Sequence, residues 1–257
     1  MKQPFLTIIT INYNNRQGLE KTVRSVLGQT FKNYEYLIID GASDDGSKDF
    51  LSQNEENFSF WVSEPDTGIF NAMNKGINHS SGEFLLFLNS GDTLNGSSAL
   101  EEFIGHDDFK GDIIYGDYKF DKGGKVYADE LTPLYFVRTS LPHQSTFFRK
   151  EVFETMGGYD ESYRIISDRV FFVACFFSRK FEFNHIKYPL VHFDLEGVSN
   201  DAEFREQKLA EDKRMFDEFY GEHYDDYLRM LELERELNRA KRNTFSGILK
   251  RIKRKLS

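Results

Sequence analysis

The chain has 257 residues, of which 39% are hydrophobic and 16% aromatic, and its formal net charge at pH 7 is −9. This length and apolar content suit one large domain or one domain with an appendage, and the negative charge argues against nucleic acid as a general partner. Because no stretch reaches the roughly 18 consecutive apolar residues that span a bilayer, the sequence also predicts no transmembrane helix.

Cysteine usage and the N-terminus both favour a cytoplasmic protein. The single cysteine, Cys175, lies in an apolar helical pattern and excludes a disulfide framework, as expected in a reducing compartment. Residues 1–5 lead directly into an apolar run, without the basic and then apolar layout of a signal peptide.

The first 90 residues alternate between strand and helix patterns. Runs rich in β-branched and apolar residues predict strands at 6–13, 36–40, 58–63 and 84–89. Helical spacing or turn residues fill the gaps, and residues 67–78 read as a helix. This β-α-β order implies a parallel sheet with right-handed crossovers and helices on its faces.

The second half follows a different pattern. Residues 112–115 read as a strand, and the glycines at 123 and 124 favour a hairpin turn. From residue 201 to 240 the chain is highly charged, and its apolar residues recur at three- and four-residue steps. We therefore expect a mixed extension of the sheet, followed by a helical appendage that packs on the core.

The C-terminal tail, residues 241–257, carries seven Lys and Arg and no acidic residue. Its apolar residues at helical spacing are Phe245, Ile248, Leu249, Ile252 and Leu256. This pattern predicts a basic amphipathic helix on an anionic membrane surface; the alternative is a solvated, partly disordered C-terminus. The predicted units are thus residues 1–200, the helical appendage 201–240 and the tail 241–257.

Polar side chains stand at the ends of all four predicted strands. They are Thr10, Asn12, Tyr13, Asp40, Asp66 and Asp92. Since ligands of open α/β sheets bind beyond the carboxyl ends of the strands, we expect these groups to share one crevice. There Tyr13 could stack on a nucleobase, Asp40 could accept from an N–H, and Asp92 could hold a divalent cation that binds a diphosphate. Taken alone, Asp40 and Asp92 also suit turn or helix-capping roles.

The segments that carry these residues resemble the family-2 glycosyltransferases. The resemblance rests on residues 8–14, 25–30, 38–47, 64–76 and 88–92. The last two segments are similar to the WcaA-like branch, which builds bacterial surface polysaccharides, and the resemblance covers roughly residues 5–200. It implies an α/β protein of the GT-A fold, with a mostly parallel central sheet flanked by helices.

The resemblance also implies a nucleotide-diphosphate sugar donor, usually linked to UDP or GDP, a Mn²⁺ or Mg²⁺ ion, and inversion at the anomeric carbon. If the roles of the family's residues are carried over to this sequence, the nucleoside would be held by Thr10, Asn12, Tyr13 and Asp40. The phosphate or sugar would lie near Asp66, Asn74, Lys75, Asn89, Ser90 and Gly91. Asp92 would bind the metal. Many members have Asp where Asn89 and Gly91 stand, so here the metal would depend on one carboxylate and the substrate phosphates.

On the acceptor side, the resemblance implies that Asp168 is the general base. The alternative is that Asp168 is an acid in the first turn of the helix that continues through Phe177. Arg169 could pair with Asp168 and lower its pKa, or point away. His143 and Gln144 fall in a segment that lines the acceptor side in the family, although a lone histidine is more often structural.

Three functions compete at this point. The first is an inverting glycosyltransferase, peripheral to the inner face of the cell membrane, that acts on a glycan or lipid-linked acceptor. The second is a nucleotidyltransferase, which needs a glycine-rich loop with a basic residue after the first strand. Residues 12–18 contain a single glycine, Gly18, which argues against this function. The third is a non-catalytic nucleotide- or carbohydrate-binding module, suggested by the missing acids at Asn89 and Gly91.

Overall fold

The first four strands form the parallel half of one sheet. The computed structural model describes residues 3–193 and 205–243, and in it the order of these strands is β3-β2-β1-β4. Their bounds are Leu6–Asn12 for β1, Tyr34–Asp40 for β2, Phe60–Ser63 for β3 and Phe84–Phe87 for β4. Helices α1 (Arg16–Leu27), α2 (Ser47–Gln53) and α3 (Ile69–His79) connect them. All three pairings are parallel, which confirms the β-α-β prediction.

The second half extends this sheet with strands of mixed direction. These are β5 (Thr93–Leu94), β6 (Ile113–Phe120), β7 (Gly123–Lys125), β8 (Thr146–Arg149) and β9 (Phe183–His192). β8 lies antiparallel between β4 and β6, β9 runs parallel to β6, and β7 closes the predicted hairpin with β6. Short β5 returns beside β9, which brings Thr93 opposite His192.

Hydrophobic clusters cover both faces of the sheet. In β1, Ile9 and Ile11 point into one cluster, whereas Leu6 and Ile8 point into the other. Because successive side chains of a strand alternate between faces, a sheet covered on both sides needs uninterrupted apolar strands. This explains the continuous runs in β1, β2 and β4. The covering helices of the second half are α4 (Ala99–Ile104), α5 (Pro133–Arg138), α6 (Lys150–Met156) and α7 (Ser167–Ser178).

Two C-terminal helices, α8 (Arg205–Tyr220) and α9 (Tyr224–Asn243), pack on the core as expected. Met215, Phe216 and Tyr220 of α8 are buried and belong to the same hydrophobic cluster as α7. The predicted divisions at residues 200 and 240 stay predictions. The basic tail, from residue 244 onward, lies outside the described residues, as does the segment 194–204.

Within residues 3–193 and 205–243, no helix combines the length and apolar character needed to cross a bilayer.

The contact between α3 and β1 leaves no room for a side chain at Gly76. A Cβ there would lie 2.5 Å from Ile9 Cγ2. In an exposed helix, alanine in place of glycine stabilises by about 1 kcal/mol. Here we expect Gly76→Ala to lower the free energy of unfolding by about 1–3 kcal/mol, because β1 must shift. Urea unfolding measures this, with Asn78→Ala, at an exposed site on the same helix, as control. Equal stability of the two variants would contradict the prediction.

Candidate functional site

Asp40 joins the ends of the first three strands. Its carboxylate is fully buried and accepts four hydrogen bonds. The donors are Asn12 Nδ2 at 2.7 Å, Ser43 N at 3.0 Å, Ser43 Oγ at 2.6 Å and Ser63 Oγ at 2.6 Å. An ionised carboxylate offers about four acceptor positions, so the protein itself already uses those of Asp40. Asp40 therefore organises the loop after β2, and direct contact with a nucleobase stays a prediction.

Beside this loop, Tyr13, which follows β1, and Asp66, which follows β3, lie close to Gly41. A Cβ at Gly41 would lie 2.7 Å from Asp66 Oδ2 and 3.1 Å from Tyr13 Cδ2, so a side chain there would displace these two groups. The Tyr13 ring is 69% exposed, and Asp66 is half-buried. Burial raises the pKa of Asp66, whereas the hydrogen bond from the Gly68 N–H and the charge of Lys75 act to lower it. The sequence placed Tyr13 at the nucleoside and Asp66 at the phosphate or sugar, and the structure brings the two together at Gly41.

Other residues that were predicted to bind the nucleotide sugar instead make contacts within the protein that support this site. Thr10 is buried in β1, where its hydroxyl lies 3.0 Å from Tyr36 OH. Lys75 binds Pro65 O at 3.0 Å and Glu64 Oε1 at 2.7 Å, and so holds the loop that carries Asp66. Asn74 donates to Tyr159 O and accepts from Tyr159 N, at 2.9 and 2.8 Å. Asn74 thereby ties the donor side of the sheet to the loop that precedes α7.

The turn after β4 is fixed to helix α1. Thr22 Oγ1 lies 2.8 Å from Asp92 O and accepts the Gly91 N–H at 3.0 Å. Asn15 Nδ2 donates to Ser90 O at 3.0 Å. Gly91 has φ of +112°, a conformation that favours glycine and explains why an Asp is absent there. These contacts hold Asp92, which is 4% exposed, at the carboxyl end of β4.

The chemistry of this turn fits a hard divalent cation shared with a substrate. Among the described residues, no group of three His, Cys, Asp or Glu side chains is arranged to hold a metal. However, Asn89 Oδ1 is buried without a hydrogen-bond partner, so the turn offers an amide oxygen in addition to the Asp92 carboxylate. Mg²⁺ and similar ions prefer oxygen ligands and commonly bind through one or two carboxylates plus phosphate oxygens. His192 stands opposite Thr93, the residue after Asp92, in the pairing of β5 with β9, and its Nε2 lies 3.2 Å from Asp121 Oδ1.

Asp168 lies in the first turn of α7 and is half-buried. Burial raises the pKa of its carboxyl above the ordinary value, and the nearby Arg169 and Lys208 oppose this shift. The Arg169 guanidinium points elsewhere, because it pairs with Asp212 and donates to Phe136 O at 2.6 Å. A carboxylate with a raised pKa, at a helix start, suits a general base.

His143 is a core residue. It is 4% exposed, packs against Phe87 and contacts Tyr159 OH at 2.7 Å through Nε2. Tyr159 in turn has a pKa well above its ordinary value, because of burial and the charge of Asp168. Burial lowers the pKa of His143 to about 3, so the imidazole is neutral at physiological pH. The acceptor role of His143 and of half-buried Gln144 stays a prediction; here His143 belongs to the core under the site.

Sequence comparison identifies the family. A model of glycosyl transferase family 2 matches residues 7–177. The chain belongs to this family. An uncharacterized glycosyltransferase of Mycobacterium tuberculosis is 32% identical over 222 residues, which cover 78% of this chain and 79% of the relative. A PGL/p-HBAD biosynthesis glycosyltransferase of Mycobacterium bovis is 30% identical over 219 residues, 79% of this chain and 84% of the relative.

Solved structures confirm the predicted GT-A fold of this family-2 member. Staphylococcus aureus TarS 1-349 in complex with UDP-GlcNAc matches with a TM-score of 0.64 and 18% identity, over 86% of this chain and 73% of that chain. The mannosyltransferase PcManGT from Pyrobaculum calidifontis, in complex with GDP-Man and Mn²⁺, matches with a TM-score of 0.60 and 15% identity. The match covers 82% of this chain and 63% of that chain. A longer TarS structure is covered over 43% of its length.

The buried imidazole of His143 makes stability depend on pH. The unfolded chain takes up a proton on this histidine near pH 6.5, whereas the folded chain does so only near pH 3. The contribution of His143 to the free energy of unfolding is therefore complete above pH 6.5. It is lost as pH falls toward 3, by up to about 1.4 kcal/mol per pH unit. His143→Gln removes the effect.

Urea unfolding of the wild type and of His143→Gln between pH 7.5 and 4.5 measures this dependence. We expect the stability difference between the two proteins to shift in favour of the variant as pH falls. His106→Gln, at an exposed histidine, should show a much smaller shift. Parallel stability curves for wild type and His143→Gln would show that His143 is not the group responsible.

Proposed function

We propose that this family-2 member is an inverting glycosyltransferase, which transfers a hexosyl or N-acetylhexosaminyl group from a nucleotide-diphosphate sugar to a glycan or lipid-linked acceptor. One observation supports this most. The ring of Tyr159 packs 5.7 Å from that of Phe87, at the end of β4, and Tyr159 also lies within electrostatic reach of Asp168. Tyr159 thus connects the strand that leads into the predicted metal turn with the surroundings of the predicted base, which supports a common site for the two.

In this proposal, Tyr13 and Asp66 hold the nucleoside at Gly41. Tyr13 offers an exposed ring for stacking, and Asp66 offers a partly exposed carboxylate as hydrogen-bond acceptor. Asp92 and Asn89 would hold Mn²⁺ or Mg²⁺, which when bound neutralises charge on the diphosphate. The solved neighbours carry UDP-GlcNAc in one structure and GDP-Man with Mn²⁺ in another, which supports a donor of this class.

Asp168 would act on the acceptor. Its ionised carboxylate takes the proton of the acceptor hydroxyl, and the freed oxygen electron pair forms a bond to the anomeric carbon. The bond between that carbon and the diphosphate oxygen breaks, and the nucleoside diphosphate leaves with the electron pair. A single displacement of this kind inverts the configuration.

We further propose that the enzyme works at the cytoplasmic face of the cell membrane in bacterial surface-polysaccharide synthesis. The similarity to a PGL/p-HBAD biosynthesis glycosyltransferase supports a role in a biosynthetic pathway. The basic amphipathic pattern of residues 241–257 supports membrane contact, since each basic residue near an anionic surface contributes on the order of 1 kcal/mol.

Calorimetric titration with UDP and GDP, each with and without Mn²⁺, tests the donor site. We expect one nucleotide to bind and Mn²⁺ to strengthen its binding. Asp92→Ala should weaken the Mn²⁺-dependent binding at least ~10-fold, because the turn loses its carboxylate. Asp107→Ala, at an exposed acid, is the control and should bind like the wild type. Failure of both nucleotides to bind under all conditions would refute the donor site.

The second candidate function is a non-catalytic binding module. It is favoured by a single observation, namely that Asp92 is the only acid in the turn 89–92. Turnover separates it from the enzyme, because a binding module retains nucleotide affinity without releasing nucleoside diphosphate from a donor sugar.

Asp168→Asn tests the catalytic assignment. With UDP-GlcNAc or GDP-Man as donor and water as acceptor, we expect nucleoside diphosphate release to slow by roughly 100- to 10,000-fold, with nucleotide affinity unchanged. The wild-type rate should fall as pH drops through the pKa of Asp168, which burial has raised, because only the ionised carboxylate accepts a proton. The variant should lack this dependence. Wild-type turnover by Asp168→Asn would rule out Asp168 as the base.

A further inference from the structure

Helix α7 begins without a capping side chain at its N-cap position. Its N-cap residue is Ile166, whose side chain makes no capping hydrogen bond. The first N–H groups of a helix have no partner within the helix, and a Ser, Thr, Asp or Asn at the N-cap normally satisfies one of them. The apolar N-cap matters here because Asp168 lies only two residues beyond it.

Glu211, on helix α8, holds the segment that leads into α7 from a distant part of the chain. Its side chain is buried, and one oxygen, Oε1, accepts from Arg164 N at 2.9 Å. The other oxygen, Oε2, accepts from Ile165 N at 2.9 Å and Ile166 N at 3.2 Å. Three successive backbone N–H groups thus converge on one carboxylate, immediately before the helix that carries Asp168. Gln207, one turn earlier in α8, donates to Oε1 at 3.0 Å and orients the carboxylate.

A second contact from α8 lies on the other side of Asp168. Asp212 pairs with Arg169, whose guanidinium also donates to Phe136 O of α5 at 2.6 Å. Adjacent acids of α8 therefore hold the chain at residues 164–166 and at residue 169. Neither contact uses the Asp168 carboxylate.

We infer that Glu211 is a positioning residue for Asp168: by binding the N–H groups of residues 164–166, it sets where the general base stands relative to the donor. This inference rests on the proposed function, in which Asp168 is the base. The physical reason is that burying a charged carboxylate is costly unless hydrogen bonds compensate, and these bonds form only in one arrangement of the segment. The rate of a reaction whose groups are held in place falls steeply with misplacement of about 1 Å.

Glu211→Gln keeps the size of the side chain but removes its charge and one acceptor oxygen. We expect the rate of nucleoside diphosphate release, with UDP-GlcNAc or GDP-Man as donor and water as acceptor, to fall roughly 10- to 100-fold. The nucleotide affinity should not change, because the donor site is built on β1 to β4. The acid limb of the pH–rate profile should shift, because the surroundings of Asp168 change. Hydrogen exchange of the amides of residues 164–166 should become faster.

The control is Glu218→Gln on the same helix. Glu218 accepts from Tyr163 OH at 3.1 Å and so contacts the same loop, but not the N–H groups before α7. We expect its rate and pH profile to stay at the wild-type level. Glu211→Asp retains the charge and should recover part of the lost rate. If Glu211→Gln does not fold, the same readouts are taken on Glu211→Asp, where a wild-type rate and pH profile would refute the positioning role.

The double variant Asp168→Asn/Glu211→Gln separates positioning from general destabilisation. If Glu211 acts through Asp168, the double variant is no slower than Asp168→Asn alone. A further loss of the same size as in Glu211→Gln would mean that Glu211 acts only on stability, and would overturn the inference.

The single variants distinguish this failure from failure of the proposed function. Full turnover by Asp168→Asn would remove the base itself, and the inference with it. An inactive Asp168→Asn beside a Glu211→Gln variant with wild-type rate and pH profile would overturn the positioning role alone.

Discussion

The buried carboxylate of Asp40 is the interaction on which the candidate donor site depends. Four hydrogen bonds from Asn12, Ser43 and Ser63 compensate for removing this charge from water, and they connect the ends of β1, β2 and β3. The loop after β2 is thereby fixed, with Gly41 so close to both Tyr13 and Asp66 that a side chain there would displace them. A buried acid thus helps to position an exposed ring and a partly exposed carboxylate.

The donor and acceptor sides are both held by contacts between residues that lie far apart in the chain. On the donor side, Thr22 of α1 holds the turn that follows β4. The acceptor side is held by contacts of the same kind. Asn74 binds the loop at Tyr159, and Glu211 binds the segment before α7. The family match ends at residue 177, so the contacts of α8 lie beyond the shared region.

The single acid of the turn 89–92 has a consequence for the proposed mechanism. With one carboxylate and one amide oxygen, the protein supplies few ligands, and the remaining coordination would come from the diphosphate and water. Affinity for the cation and affinity for the nucleotide would then rise together, because each ligand completes the site of the other.

The sequence by itself determined the parallel strands β1 to β4, the hairpin of β6 and β7, and the family. Apolar runs, turn residues and motif spacing are local properties, and they placed Tyr13, Asp40, Asp66 and Asp92 at strand ends. Only the tertiary structure decided how these groups are used. Two of the four hydrogen bonds that occupy Asp40 come from Asn12 and Ser63, more than twenty positions away, whereas Asp66 stays partly exposed beside Tyr13.

The same limit applies around Asp168. The pattern predicted a helix that opens at Ser167, but not that His143 is buried, that Arg169 pairs with Asp212, or that Glu211 binds the backbone N–H groups just before the helix. Each of these contacts joins residues that are distant in the chain. Periodicity and motifs report on which face of its own element a residue lies, whereas the partner of a buried polar group is set by how separate elements pack.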